Sequence, residues 1–250
     1  MRDRSAAPVA LVTGASRGIG ASTARLLARD GGHRVVVHCR EKRRRADKVV
    51  AAIRADGGDS MAVAADLTDA GAVQGMLDEV SAAYGRVDTL ILNASGGLER
   101  DAALDYAVRL NRDAQLGLVD AVAPLMDAGS VIVFVTSNPA HFYPEHPVPE
   151  IYRAVARGKR AGEDALRERG PWLSARGIRL AVVSGGMVEG TATVLLLKRA
   201  LPGAVKGWRE QSGNGITVDE FAAAISHAAT AELPSGHTLF VGRPMPRPDA

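Results

Sequence analysis

Cysteine is nearly absent from this 250-residue chain. Cys39 stands alone, which excludes an internal disulfide framework and a Cys–Cys redox pair and suits a reducing cytoplasm. Aromatic residues make up 4% of the chain, and none is interleaved with the basic run at residues 40–45 as in single-stranded nucleic-acid surfaces. Nowhere do eighteen apolar residues run together, and "MRDRSAAPVALVTG" reaches glycine before it builds a leader-peptide core. Neither a membrane span nor a secretory leader is therefore expected, and the reading is a soluble, cytoplasmic protein. Charge of one sign is not in excess either: 31 Lys and Arg against 28 Asp and Glu give a net +3, too little to imply a nucleic-acid partner. His141 and His146 have no carboxylate or cysteine at ligand spacing, so no metal site is expected.

What the chain does have is a rhythm. Short apolar runs ("VALVT", "RVVVHC", "SMAVAA", "TLILN", "SVIVFVTS", "IRLAVVS", "HTLFVG") alternate with amphipathic segments such as "GASTARLLARD", "ADKVVAAIRA" and "AGAVQGMLDEVSAAYG". Strands apolar on both faces, alternating with helices, predict a doubly wound α/β Rossmann fold: one domain with a seven-stranded parallel sheet and about six helices on its two faces. Residues 185–215, rich in Gly and Thr and broken by Pro202, follow the sixth strand and are expected to form a lid over the ligand site. Its "TATVLLLKRALPG" points to an apolar small-molecule substrate, although an ordinary packing helix accounts for those leucines nearly as well.

After the first strand comes "TGASRGIG". Gly14, Gly18 and Gly20 let the backbone turn, approach a pyrophosphate and pack helix on strand, with Ser16, Arg17 and Ile19 in the same loop. The second strand ends "VVVHCREKRRR", where an NAD enzyme of this architecture usually carries an acidic residue for the ribose 2'-hydroxyl. Here stand Arg40, Lys42 and Arg43, with Arg17 nearby. Basic residues at a helix start oppose its dipole, and an anion beside them relieves that cost. A 2'-phosphate is such an anion, so NADPH is the expected cofactor.

With these motifs on the page the chain resembles the short-chain dehydrogenase/reductase family over nearly its whole length, in the order "TGASRGIG", "ADLTD", "LNASGG", "RLNRDAQLG" and "VFVTS". The resemblance implies that Asp66 and Leu67 hold the adenine and that Asn93, Ala94 and Ser95 flank the cofactor. It also implies that Asn111 kinks a helix and holds water, and that Ser137 bonds the substrate's reacting oxygen. In "AVVSGGMVEG", where most of the family carries a Pro-Gly pair, Gly185 and Val188 are assigned to the cofactor and Met187 to the substrate. A homotetramer or homodimer is implied too.

The family's usual tyrosine four residues before a lysine is absent: four residues before Lys159 stands Val155, and four after Tyr152 stands Ala156. Seven residues of helix bring the chain back to within about 20° of azimuth after roughly 10 Å of rise, so Tyr152 and Lys159 share a face, and Lys159 leans back toward the tyrosine. This spacing resembles the enoyl-acyl-carrier-protein reductase branch of the superfamily. Lys159 is expected to lower the Tyr152 pKa and hold the nicotinamide ribose. Tyr143, in the Pro-rich "SNPAHFYPEHPVPEIY", is the competing acid, with His141 beside it as substrate wall, and a site with no tyrosine acid is a third possibility. The leading expectation is an NADPH-dependent reductase of a conjugated enoyl or enone substrate. A ketoreductase of a secondary-metabolite or lipid pathway is the alternative, and a catalytically inactive nucleotide-binding sensor or scaffold the alternative of another class.

Overall fold

The computed structural model describes residues 7–98, 105–200 and 215–242. All seven expected strands form: β1 Val9–Val12, β2 Arg34–Cys39, β3 Ser60–Ala64, β4 Thr89–Leu92, β5 Val131–Ser137, β6 Arg179–Gly185 and β7 His237–Val241. They make one parallel sheet in the order β3-β2-β1-β4-β5-β6-β7. The order reverses between β1 and β4, so the strand ends open a crevice there.

The strands are apolar throughout because both faces are covered. On one face Val73, Met76 and Leu77 of α3 (Ala70–Tyr84), Leu118 and Val122 of α5 (Ala114–Val122), and Leu166 of α7 (Glu150–Glu168) pack onto Leu11, Leu90 and Ile132. On the other, Leu27 of α1 (Gly18–Arg29), Val50 and Ile53 of α2 (Arg43–Ala55), and Phe221 and Ile225 of α10 (Val218–Thr230) pack onto Val12, Val37 and Val133. Short helices α4 (Tyr106–Val108), α6 (Asn138–His141) and α8 (Gly170–Ala175) and the post-β6 helix α9 (Ala192–Ala200) complete the described elements. Among the described residues no helix is long and apolar enough to cross a membrane.

The helices outnumber the expected six because short α6 and α8 and the post-β6 α9 are added and because "YAVRLNRDAQLGLVDAVAPLM" is not one helix. A π turn over Arg109–Asp113 separates α4 from α5. Asn111 Nδ2 donates to the Ala107 carbonyl at 2.7 Å, inserting a side chain into the backbone ladder where the helix widens. Helix α7 then lies close against this segment. A Cβ at Gly158 would sit 2.5 Å from the Ala107 carbonyl oxygen, and one at Gly162 2.1 Å from that of Asn111. This face of "GKRAG" therefore tolerates only glycine, and the close approach sets the depth of α7 at the crevice.

Helix starts divide into two kinds. Asp69 caps α3 by accepting from Gly71 and Ala72 N–H, and Thr217 and Glu220 form a capping box on α10. Helices α1 and α2, whose N-termini meet the crevice, have no side-chain cap.

Candidate active site

A cavity of about 860 Å³ fills the crevice, lined from the glycine loop and the ends of β2, β3 and β4 at one end to β5, α7 and α9 at the other. At the first end Gly14 and Gly18 adopt φ of +63° and +56°, the left-handed region open to glycine. A Cβ at Gly20 would fall 2.6 Å from Asn93 Nδ2 and 2.7 Å from the Gly14 carbonyl oxygen. Asn93 is tied to the loop, its Nδ2 donating to the Thr13 carbonyl at 2.8 Å and its N–H to Thr13 Oγ1 at 2.9 Å. Ser16, Arg17, Ile19, Ala94 and Ser95 also line the cavity. The bare α1 N-terminus with its glycine cradle fits a dinucleotide pyrophosphate, since backbone N–H groups there have no capping side chain to satisfy them.

Arg40, Asp66 and Leu67 line the same end. Asp66 Oδ1 accepts from Thr68 N–H at 2.9 Å and Thr68 Oγ1 at 2.7 Å. Burial works against its charge, but these bonds and neighbouring Arg40 and Arg109 hold its pKa below the usual carboxylate value.

One residue at this end, His38, is a find of the structure alone. Its side chain is buried in β2, where Nδ1 accepts the Gly14 N–H at 3.1 Å and Nε2 faces the Ala65 carbonyl at 3.0 Å. Those partners require the neutral ring with its proton on Nε2, and burial keeps its pKa below the ordinary imidazole value. The available sequence signal was a lone histidine inside "VVVHC", where a buried strand leaves a polar ring no water partner.

At the other end Ser137 closes β5. Its Oγ lies 2.9 Å from Tyr152 Oη and also accepts from Ala140 N–H at 3.4 Å. Tyr152 and Lys159 both project from α7 into the cavity, as their shared helix face predicts. Their electrostatics differ from expectation. Burial raises the Tyr152 pKa, with the Ser137 bond opposing it, and Lys159 has no part in the shift. Lys159 itself is pulled down to about 8 by burial. The spacing brings the two side chains to one cavity, where burial outweighs every influence that would lower the phenol's pKa.

Asn111 does not line the cavity; it acts one layer back, donating to the Gly96 carbonyl at 3.0 Å while its Oδ1 accepts from Ser95 Oγ at 2.7 Å. Met187 and Val188 line the cavity, with Leu110, Val155 and Leu197 adding apolar wall. Of the segment expected as a lid, residues 201–214 lie outside the described residues.

Three assignments need correction. Gly185 does not line the cavity; a Cβ there would strike the Phe221 ring at 2.3 Å, so its smallness serves packing against α10, and Gly186 takes the lining position. His141 is no substrate wall: its Nδ1 lies 2.9 Å from Glu163 Oε2 and its ring packs edge-on against Phe142 and Phe240 at the β7 side of the sheet. Arg167 completes that network, bonding Glu163 Oε1 at 3.0 Å, and a separation of 22 positions between His141 and Glu163 leaves no trace in a sequence pattern. Tyr143 does not line the cavity either but packs behind it with Val148 against the cluster of Tyr152, Val155 and Leu197.

A family model described as short chain dehydrogenase matches residues 8–200. A 1-cyclohexenylcarbonyl-CoA reductase of Streptomyces collinus is 31% identical over 188 residues, 72% of this chain; the match spans 65% of that protein, just under two thirds of its length. Among solved structures, the promiscuous reductase LugOII, which catalyses keto-reduction at C1 during lugdunomycin biosynthesis, superposes with a TM-score of 0.79 at 28% identity, covering 96% of this chain and 98% of that one. A short chain dehydrogenase from Burkholderia cenocepacia in complex with NADP gives 0.78 at 27% identity, covering 94% and 96%. A motif order running from glycine loop to β5 serine, a seven-stranded parallel sheet and a family match over most of the chain converge on one assignment: this protein belongs to the short-chain dehydrogenase/reductase family and is an oxidoreductase.

Proposed function

We propose that this chain is an NADP(H)-dependent reductase of an apolar, carbonyl-conjugated C=C bond, an enone or enoyl thioester. The Burkholderia cenocepacia relative bound to NADP supports the cofactor, as does the setting of Arg40 at the cavity rim with no acidic residue ending β2. Gly14, Ser16, Gly18, Ile19 and Gly20 would hold the pyrophosphate with the bare α1 terminus, Arg17 and Arg40 the 2'-phosphate, and Asp66 and Leu67 the adenine. Asn93, Ala94, Ser95, Val188 and Lys159 would flank the nicotinamide riboside. When bound, the cofactor supplies hydride.

The observation that carries the reading is the Ser137 Oγ–Tyr152 Oη pair at 2.9 Å, with a tyrosine whose pKa is raised. Two neutral hydroxyls on the β5/α7 side of the cavity supply hydrogen bonds to one substrate oxygen. In conjugate reduction that oxygen carries enolate charge, which hydrogen bonds stabilise without full proton transfer to oxygen, while the proton that completes the reduction would be taken at the α-carbon from water. In ketone reduction the oxygen becomes an alkoxide and takes a proton, for which a phenol above its ordinary value of 10 is a poor source at neutral pH. Asn111 supports the site by fixing Ser95 and the strand-end backbone. Met187 and the leucines of α9 supply the apolar substrate wall, in keeping with the cyclohexenyl acyl group named for the Streptomyces collinus relative. The second reading, ketone reduction, is favoured by LugOII and draws its proton through Tyr152 or a water.

The test is NADPH oxidation with a matched enone and saturated ketone. The expected result is faster turnover of the enone, and a loss of about 100-fold in kcat for Tyr152→Phe, the scale of one lost donor to a developing oxyanion. Undiminished turnover in Tyr152→Phe removes the tyrosine from the reaction, and reduction of the ketone alone returns the chain to the ketoreductases.

A further inference from the structure

At the nucleotide end of the cavity the Arg40 guanidinium is held by a residue distant in sequence. It follows β2 directly, yet its Nη1 donates to the Tyr106 hydroxyl at 2.6 Å, and Tyr106 is the first residue of α4, 66 residues further along the chain. Both side chains line the cavity. The other partner of Arg40 is Glu41, whose Oε1 lies 3.2 Å from Nε. The Tyr106 bond takes one of the five guanidinium N–H donors, Glu41 adds an ion pair, and among the described residues the remaining four N–H groups make no hydrogen bond.

The two partners act on the arginine in opposite ways. Glu41 competes with any anion, because a carboxylate satisfies the guanidinium's charge. Tyr106 fixes the same group through a neutral acceptor, which removes rotamer freedom without neutralising charge. A flexible arginine gives up side-chain entropy when it is immobilised, and an arginine already held loses less of it when an anion arrives. Tyr106 also comes from α4, an element remote in sequence from β2, so one edge of the guanidinium is anchored at the cavity lining.

We propose that Tyr106 is a positioning residue for cofactor specificity: its hydroxyl presets Arg40 to receive the 2'-phosphate and so sets the preference for NADPH over NADH. The inference rests on the reading that Arg40 meets that phosphate. The 2'-hydroxyl of NADH offers the guanidinium no anion, so presetting Arg40 affects NADPH affinity and leaves NADH affinity nearly untouched.

The experiment measures Kd for NADPH and for NADH by fluorescence titration of wild type, Tyr106→Phe and Arg40→Ala. Phe keeps the ring in the cavity wall and removes the hydroxyl that accepts from Arg40, leaving the Glu41 contact in place. Tyr106→Phe is expected to weaken NADPH about fivefold, roughly seven-tenths of a full tenfold contact on the free-energy scale, with NADH within twofold. Arg40→Ala is expected to abolish most of the NADPH preference. If Arg40→Ala leaves the preference intact, the phosphate reading itself fails and the role of Tyr106 falls with it. If Arg40→Ala removes the preference but Tyr106→Phe keeps the wild-type ratio, or binds NADPH more tightly, Arg40 meets the phosphate without help and the Tyr106 proposal alone is overturned. Equal weakening of both cofactors by Tyr106→Phe also overturns it, because that is the signature of a wall residue.

Discussion

The two halves of the cavity are built from different materials. The half at the ends of β1 to β4 is made of backbone and of side chains spent on holding backbone: Asn93 and Thr13 stitch β4 to the glycine loop, and His38 bridges Gly14 to Ala65. The half at β5, α7 and β6 presents side-chain hydroxyls, one lysine shifted to about 8 and a wall of aliphatic groups. The first half has its glycine-loop backbone tied to β2 and β4, which suits recognition of a nucleotide. The second ties Ser137 to Tyr152, Asn138 to Ser184 and Thr191 to the Val188 carbonyl, and between them leaves apolar surface whose shape selects a substrate. Rigidity thus marks the part that a whole family shares, and chemistry on rotatable side chains marks the part that distinguishes its members.

That contrast is open to breaking with single residues. The largest effect is expected for Gly20→Ala, where the new Cβ meets Asn93 Nδ2, the Gly14 carbonyl oxygen and Ala15 Cα, all within 2.9 Å. It should cost about 1–3 kcal/mol of stability, the usual penalty of overpacking, and weaken NADPH at least about tenfold. Its control is Gly186→Ala in the second half, where the nearest neighbour is Ile216 Cδ1 at 3.5 Å, an ordinary contact expected to leave thermal stability and NADPH affinity close to wild type. Equal damage from both substitutions, measured by thermal melts and cofactor titration, would erase the distinction between the halves.

A smaller effect belongs to Lys159. Its pKa in the folded protein is about 8 against an ordinary 10.5, so the ammonium is present below pH 8 and lost as pH rises through that value. NADPH affinity of the cofactor-free enzyme should therefore fall above about pH 8, and the step should vanish in Lys159→Ala. A step that persists in the variant assigns it to another group.

Legibility in the sequence divides along the same line. Strands apolar on both faces, such as Val35 to Val37, are written in composition, and Gly14, Gly18 and Gly20 are legible because their roles are local. Tyr152 and Lys159 share a face by helix arithmetic alone. What arithmetic along one helix does not carry is the dielectric around the side chains, so Lys159 was expected to lower a phenol that burial instead raises. His141 misled for a related reason: a loop histidine near the serine looks like a site residue until Glu163 and Arg167, brought close by the packing of α7, claim it. Gly185 resembles a cofactor glycine, yet the Phe221 ring that requires it lies 36 residues later, on α10. The Tyr106–Arg40 clasp spans 66 residues and is visible only once the sheet has formed.

The central claim is that Tyr152 works as a neutral hydrogen-bond donor beside Ser137, independent of Lys159. The direct measurement is a pH titration of tyrosinate absorbance in wild type minus that in Tyr152→Phe, with Lys159→Ala as the companion. The account predicts that the difference signal appears only above pH 10, the ordinary tyrosine value that burial exceeds, and that Lys159→Ala leaves it in place. Ionisation of Tyr152 near neutral pH, moved upward by Lys159→Ala, would contradict it.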